Sequence, residues 1–226
     1  MPFLVSPIRR WGYRHIYICH REISGNLGWD IALILGSCAV SFGVAYYSLS
    51  THLRGDYLWI DNSYAELGFP KNWRAMAWVD SDPDIGESFN AQVALPNVFS
   101  AMILMIYDEK ATRTYMDEYN LTDIDSLLSF AAQSLYEWAL ENNANATLVS
   151  AENGTITVSS EKADYLTILI KDGYSSDGSF QNLTCTFISY MSEQRLIQII
   201  FWGSEQACLE TRSTFEAILN TVRVKI

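Results

Sequence analysis

The sequence predicts an α+β fold in which an antiparallel sheet is covered by helices on both faces, behind a single N-terminal transmembrane helix. Three observations predict it. Residues 31–49 run without a charge. Two later segments, 124–138 and 208–222, repeat apolar residues at three- and four-residue intervals, the period of a helix with one buried stripe. Between them lie strand-like runs, and those at 183–190 and 196–202 are apolar on both faces, as expected where both sides of a sheet are covered.

At about 1.5 Å rise per residue, the charge-free run nearly matches a hydrocarbon core of about 30 Å. Trp29 stands at one end and Tyr46 and Tyr47 at the other, where amphipathic rings prefer the membrane interfaces. Arg9, Arg10, Arg14 and Arg21 all precede the run. The positive-inside bias therefore predicts a cell-membrane protein with one span, its N-terminus cytoplasmic and its C-terminal domain outside. Residues 1–28 read as a basic cytoplasmic tail, 29–50 as the transmembrane helix, 51–56 as a polar connector and 57–226 as the outer domain. A cleaved signal peptide ending near Ser48-Leu49-Ser50 is a rival reading, although the run is longer than an ordinary signal core. A buried core helix is another, because Gly36, Ser37, Ser41 and Gly43 dilute the hydrophobicity.

Charge is divided unevenly. Residues 1–50 set four arginines against Glu22 and Asp30, so of the net charge of −11 they contribute +2 and the rest of the chain carries −13. A domain that acidic repels phosphate backbones, which excludes nucleic acid as its expected partner. The histidines are His15, His20 and His52, so a His-dependent active site is not expected in 57–226. Gly-x-Ser-x-Gly, His-Glu-x-x-His and a phosphate-binding glycine loop are absent from the sequence, and no cofactor is implied.

Along the outer domain, 57–60, 64–67 and 74–79 are strand candidates, with Pro70 closing the second because it cannot donate to a ladder. Residues 98–107 form a continuous apolar strand. A helix is expected from Thr122, which stands with Asp125 at capping-box spacing. Ile124, Leu127, Leu128, Ala131, Leu135 and Trp138 then form its apolar stripe. Strands at 146–150 and 155–159 are expected to join across Asn153-Gly154, a strong hairpin signal. Strands at 165–170, 183–190 and 196–202 follow, with 173–178 as a loop. A closing helix begins at its N-cap Ser204, with Glu205 in the first turn and Cys208, Thr211, Phe215, Ile218 and Val222 on one face.

Tyr64-Ala65-Glu66-Leu67-Gly68-Phe69-Pro70-Lys71-Asn72-Trp73, the apolar strand 196–202 and the ending Phe215-Glu216-Ala217-Ile218-Leu219-Asn220-Thr221-Val222 together resemble the PsbP-like family. The likeness covers 57–226 and implies an α/β/α sandwich whose terminal helix leads into a final short strand. It carries no shared active site. The roles it implies are docking and assembly.

Asp80, Asp82, Asp84 and Glu87 gather four carboxylates in a turn-prone stretch, a candidate for a hard cation that wants several oxygen ligands. The stretch departs from the EF-hand pattern, with Ile85 where Gly is needed and Ala91 where the bidentate Glu belongs, and a solvated acidic turn is the alternative. Cys185 and Cys208 are the two cysteines of the outer domain, readable as a disulfide between sheet and closing helix or as two buried thiols. Asn120, Asn145, Asn153 and Asn182 each open a glycosylation sequon, all after the membrane segment. Trp59, Trp73, Trp78, Trp138 and Trp202 suit either core packing or stacking on a sugar. The expected function is a membrane-anchored, non-enzymatic outer domain that binds a protein partner or supports a surface assembly. A carboxylate-dependent hydrolase or sugar-binding domain is the alternative, because the spacing of paired carboxylates is spatial and not sequential.

Overall fold

The computed structural model describes residues 51–225 apart from 97, 177 and 178. The basic tail and the expected membrane helix at 29–50 lie outside the described residues. Among the described residues, no helix is long and apolar enough to cross a membrane.

Chain order is β1 (Thr51–Arg54), β2 (Tyr57–Asp61), β3 (Ala65–Pro70), β4 (Arg74–Asp82), β5 (Gly86–Ala94), β6 (Ser100–Tyr107), α1 (Glu109–Glu118), α2 (Ile124–Asn142), β7 (Thr147–Val158), β8 (Glu161–Ser176), β9 (Ser179–Ser192), β10 (Arg195–Ser204), α3 (Glu205–Leu219) and β11 (Arg223–Val224). The strands form two antiparallel sheets. A small one is ordered β1-β2-β3-β11, and a seven-stranded one is ordered β4-β5-β6-β10-β9-β8-β7. The α+β class and the antiparallel pairing agree with the sequence; the single sheet does not. The chain breaks at the Pro70–Trp73 turn, where Trp73 N donates to Pro70 O at 2.9 Å, and β4 starts a second sheet.

One face of the large sheet presents Phe89, Val93, Met102, Leu104, Ile188, Ile199 and Phe201 to α3 and to Ile60, Leu67 and Phe69 of the small sheet. Phe201 stacks on Phe215 of α3 with centroids 4.2 Å apart. The other face is shared by two helices. Under α2 lie Ile168, Ile170, Leu183, Cys185 and Phe187. Under α1 lie Met105, Tyr107 and Leu196, which meet Ala111 and Tyr115. At about 1.5–3 kcal/mol per large buried apolar side chain, these two layers are the principal source of the domain's stability.

Several local expectations are corrected. The N-cap of α2 is Asp123, whose Oδ1 accepts from Ser126 N at 2.8 Å while Asp123 N donates to Ser126 Oγ at 3.2 Å. The capping box thus sits one residue later than the Thr122/Asp125 spacing suggests. The strands at 146–150 and 155–159 are one strand, β7, running straight through Asn153-Gly154. Gly154 lies opposite Tyr165, whose ring would stand 2.9 Å from a β-carbon at that position, so the glycine admits an aromatic ring. The turn falls instead at Ser159-Ser160, with φ of 54° and 74°, the sign a two-residue type I′ hairpin needs at both positions. Of the loop read at 173–178, residues 173–176 form the outer end of β8, reached through a register shift between Ile170 and Tyr174. Unread in the sequence were α1, β5 and the connector strand β1.

Candidate functional site

Among the described residues the two edges of the large sheet are β4 and β7, and β7 is much the more exposed. Residues 147–153 are all exposed, on both sides of the strand, and among the described residues β7 pairs with β8 alone. Its register with β8 shifts between Leu148 and Ser150, then runs regularly from Ser150 opposite Leu169 to Val158 opposite Glu161. Nine residues therefore offer an unbroken, unpaired main-chain edge. Leu148 and Val149 are 42% and 56% exposed, and Phe180 near the tip of the neighbouring hairpin is also exposed. An edge of this kind normally carries Lys, Pro or an inward charge that keeps other chains off. In β7 the only charged residue is Glu152.

At the opposite end of the strands, a cleft of about 70 Å³ is lined by Tyr64, Glu87, Ile106, Asp108 and Arg195. Tyr64 stacks on Phe89, with centroids 5.3 Å apart and planes 2° from parallel. Its hydroxyl donates to Glu87 Oε1. That bond to the carboxylate, with burial and the negative charge of Glu87 behind it, pushes the phenol up to about 12. Asp108 caps α1, accepting from Ala111 N at 2.6 Å, and with its second oxygen accepts from Glu87 N at 2.9 Å. The cleft's carboxylates are thus committed to holding β3, β5 and α1 together.

The four acidic candidates do not converge. Asp80 faces along β4, where its Oδ2 accepts from Trp78 Nε1 at 3.0 Å and from Asn90 Nδ2 at 3.2 Å. Asp82 Oδ1 accepts from the backbone of Asp84 and Ile85, which closes the turn into β5. Asp84 is exposed, and Glu87 turns to Tyr64. Strand alternation leaves Asp80 and Asp82 on one face of the β4–β5 hairpin and puts Glu87, opposite Ser81, on the other, while Asp84 lies in the turn. Among the described residues no group of three or more His, Cys, Asp or Glu side chains could hold a metal ion.

Of the two readings of the cysteines, the structure has the two free, buried thiols and not the disulfide. Cys185 lies opposite Trp202 and packs on the α2 side of the sheet. Cys208 sits on α3 in the core of the other side. Strand alternation decides this, since Leu183, Cys185 and Phe187 share the face away from α3. Burial raises both thiols, Cys208 to about 12. Among the sequons, Asn120, Asn145 and Asn153 are exposed. Asn182 is half-buried and engaged, with its Nδ2 donating to Glu205 Oε2 at 2.7 Å. Of the five tryptophans singled out, Trp73 is buried in the core and Trp202 meets Phe99 edge-on at 5.2 Å.

The sequence did not point to the β7 edge, because reading Asn153-Gly154 as a turn cut the strand in half. Alternation of Leu148, Ile156 and Val158 with polar residues was the available signal.

No family model matches the chain, and no curated protein matches it. Among solved structures it is similar to cyanobacterial PsbP from Synechocystis, at 13% identity over 80% of this chain and 95% of that one, TM-score 0.40. It is also similar to a protein from Bacteroides thetaiotaomicron, at 12% identity over 72% of this chain and 46% of that one, TM-score 0.37. A third is LpqN, involved in cell envelope biogenesis of Mycobacterium tuberculosis, at 13% identity over 71% of this chain and 82% of that one, TM-score 0.36. The chain spans about half the length of the Bacteroides protein.

Proposed function

We propose that the chain is a single-pass membrane protein whose outer domain, residues 57–226, binds a protein partner at the cell surface and catalyses no reaction. The observation that carries the binding role is the β7 edge, seven consecutive exposed residues that include Leu148 and Val149 and lie near the exposed Phe180. A main chain with unused donors and acceptors beside exposed apolar side chains is a surface that gains free energy when covered. The non-catalytic part is supported by the chemistry of the acidic groups. Glu87 and Asp108 are tied to Tyr64 and to backbone amides, and Asp80 and Asp82 accept bonds from their own hairpin. The charge-free run at 31–49 behind four arginines supports the anchor and its orientation. Confinement at a membrane raises the effective concentration toward partners in the same membrane, so a modest interface suffices.

The test uses the full chain in intact cells, with a photo-crosslinking residue at Val149, at Phe180, or at Val79 on the other edge. The expected result is a defined protein adduct from Val149 and Phe180 and none from Val79, with external protease removing the domain while the tail stays protected. Turnover of a glycoside, ester, peptide or phosphoester substrate that is lost on substituting one outer Asp or Glu, with folding intact, would contradict the non-catalytic reading. A domain shielded from protease until lysis would contradict the topology.

A further inference from the structure

We infer that β7 is a strand-addition site for an extended, basic segment of the partner, which lies alongside residues 150–158 and extends the large sheet. This rests on the protein-binding reading above and names the chemistry of its partner. The regular register from Ser150 to Val158 leaves one side of nine residues facing outward. In an antiparallel ladder alternate residues direct both N–H and C=O to the same side, so about four residues of that stretch present a ready pair of bonds to an incoming strand. A matching peptide is about nine residues long, roughly 30 Å when extended. Main-chain bonding supplies affinity in this mode, and side chains at every second position supply selectivity.

The side chains set that selectivity. The only charge on β7 is Glu152, within a stretch of small or hydroxylated neighbours: Ser150, Ala151, Gly154 and Thr155. A lysine or arginine across from Glu152 makes a favourable cross-strand pair, and a like charge there is penalised. Val149 and the half-exposed Ile156 accept apolar partners. A second copy of the chain is disfavoured as the occupant. Two domains of −13 each would meet edge to edge, whereas a basic segment is drawn toward that field.

The probe is a fluorescent nine-residue peptide of alternating lysine and valine, added to the full-length chain in neutral detergent. Three controls accompany it: alternating glutamate and valine, the same lysines and valines in two blocks, and the alternating peptide N-methylated on its backbone. Saturable binding of the first, with each control weaker by about tenfold or more, supports the inference. Glu152→Lys, at an exposed position where the fold tolerates charge, is expected to weaken the alternating peptide by about tenfold and to improve the glutamate peptide, with an unchanged thermal melt. Equal binding of the blocked or N-methylated peptide shows unspecific charge attraction and overturns strand addition. Equal binding of the glutamate peptide overturns the basic character of the partner. If no peptide binds while crosslinks from Val149 persist, this inference falls and the protein-binding reading stands; if both fail, both fall.

Discussion

The large sheet has two edges, and the chain treats them differently. On β4, Asp80 draws Trp78 and the buried Asn90 to itself, Ala77 is packed into the core, and the strand leads through a closed Asx turn into β5. Asp108 at the head of α1 then holds the first residues of β5. On β7 there is one carboxylate and a run of exposed residues, of which Thr147 Oγ1 donates to Asn145 O at 3.2 Å at the strand's start. An edge guarded by an inward charge and tied to a helix resists other strands; a long bare edge is where another strand can join. The contrast within one sheet ties β4 into the scaffold and leaves β7 as the edge to which the proposed association is assigned.

The strongest way to break that contrast is at the β4–β5 turn. Gly86 has φ of 119°, and a β-carbon there would lie 2.4 Å from Ala111 N and 2.6 Å from Asp108 Oδ1. Gly86→Ala is therefore expected to cost more than about 2 kcal/mol by backbone strain and steric conflict, seen as a lower urea midpoint. A midpoint within error of the parent would show that α1 does not pin this turn.

Asp80→Ala comes next. It leaves the Trp78 indole and the Asn90 amide without this acceptor, and the expected loss is about 1–3 kcal/mol because Asn90 is buried. The matching change at the other edge, Val149→Lys beside the 150–158 stretch, is expected to alter stability by less than about 0.5 kcal/mol while weakening the binding of the lysine–valine peptide. Equal stability losses at both edges would erase the distinction.

A smaller effect follows pH. Tyr64 is protonated in both states below its ordinary value of 10.0. Between there and about 12 the unfolded chain gives up the proton first, so it binds fewer protons than the native chain and stability falls as pH rises. Tyr190, buried and also raised to about 12, acts in the same window. Glu87→Gln removes the charge opposing ionisation and is expected to lower the Tyr64 titration toward its ordinary range, read by tyrosinate absorbance. An unmoved titration would show that Glu87 does not hold this phenol. Burial of both outer thiols gives the least conspicuous expectation. In a Cys19→Ser, Cys38→Ser background, Cys185 and Cys208 should resist alkylation at neutral pH until the protein is denatured.

Much of the scaffold was legible because its signals are local. Ser204 and Glu205 mark the start of α3, the stripe from Ile124 to Trp138 marks α2, and the doubly apolar run at 196–202 marks β10, a central strand. What was not legible depends on pairing. Gly154 reads as a turn until Tyr165 lies opposite it, and α1 is short, polar on its outer face and anchored by an Asp108 cap whose second bond reaches β5. The four carboxylates of 80–87 look like one cluster because they are close in sequence, yet Glu87 lies on the face opposite Asp80 and Asp82, which are themselves held by separate local bonds. The candidate site shows the same dependence. An exposed edge is a property of sheet order, and the order β4-β5-β6-β10-β9-β8-β7 is set by long-range contacts that no window of sequence contains.

Amide hydrogen exchange of the full-length chain, with and without the alternating lysine–valine peptide, tests the central claim most directly. Outward amides of β7 between Ser150 and Val158 should exchange readily in the free protein and slow on adding the peptide, while β4 keeps its rates. Exchange along β7 that is unchanged by a bound peptide, or protection that appears at β4 instead, would contradict the account.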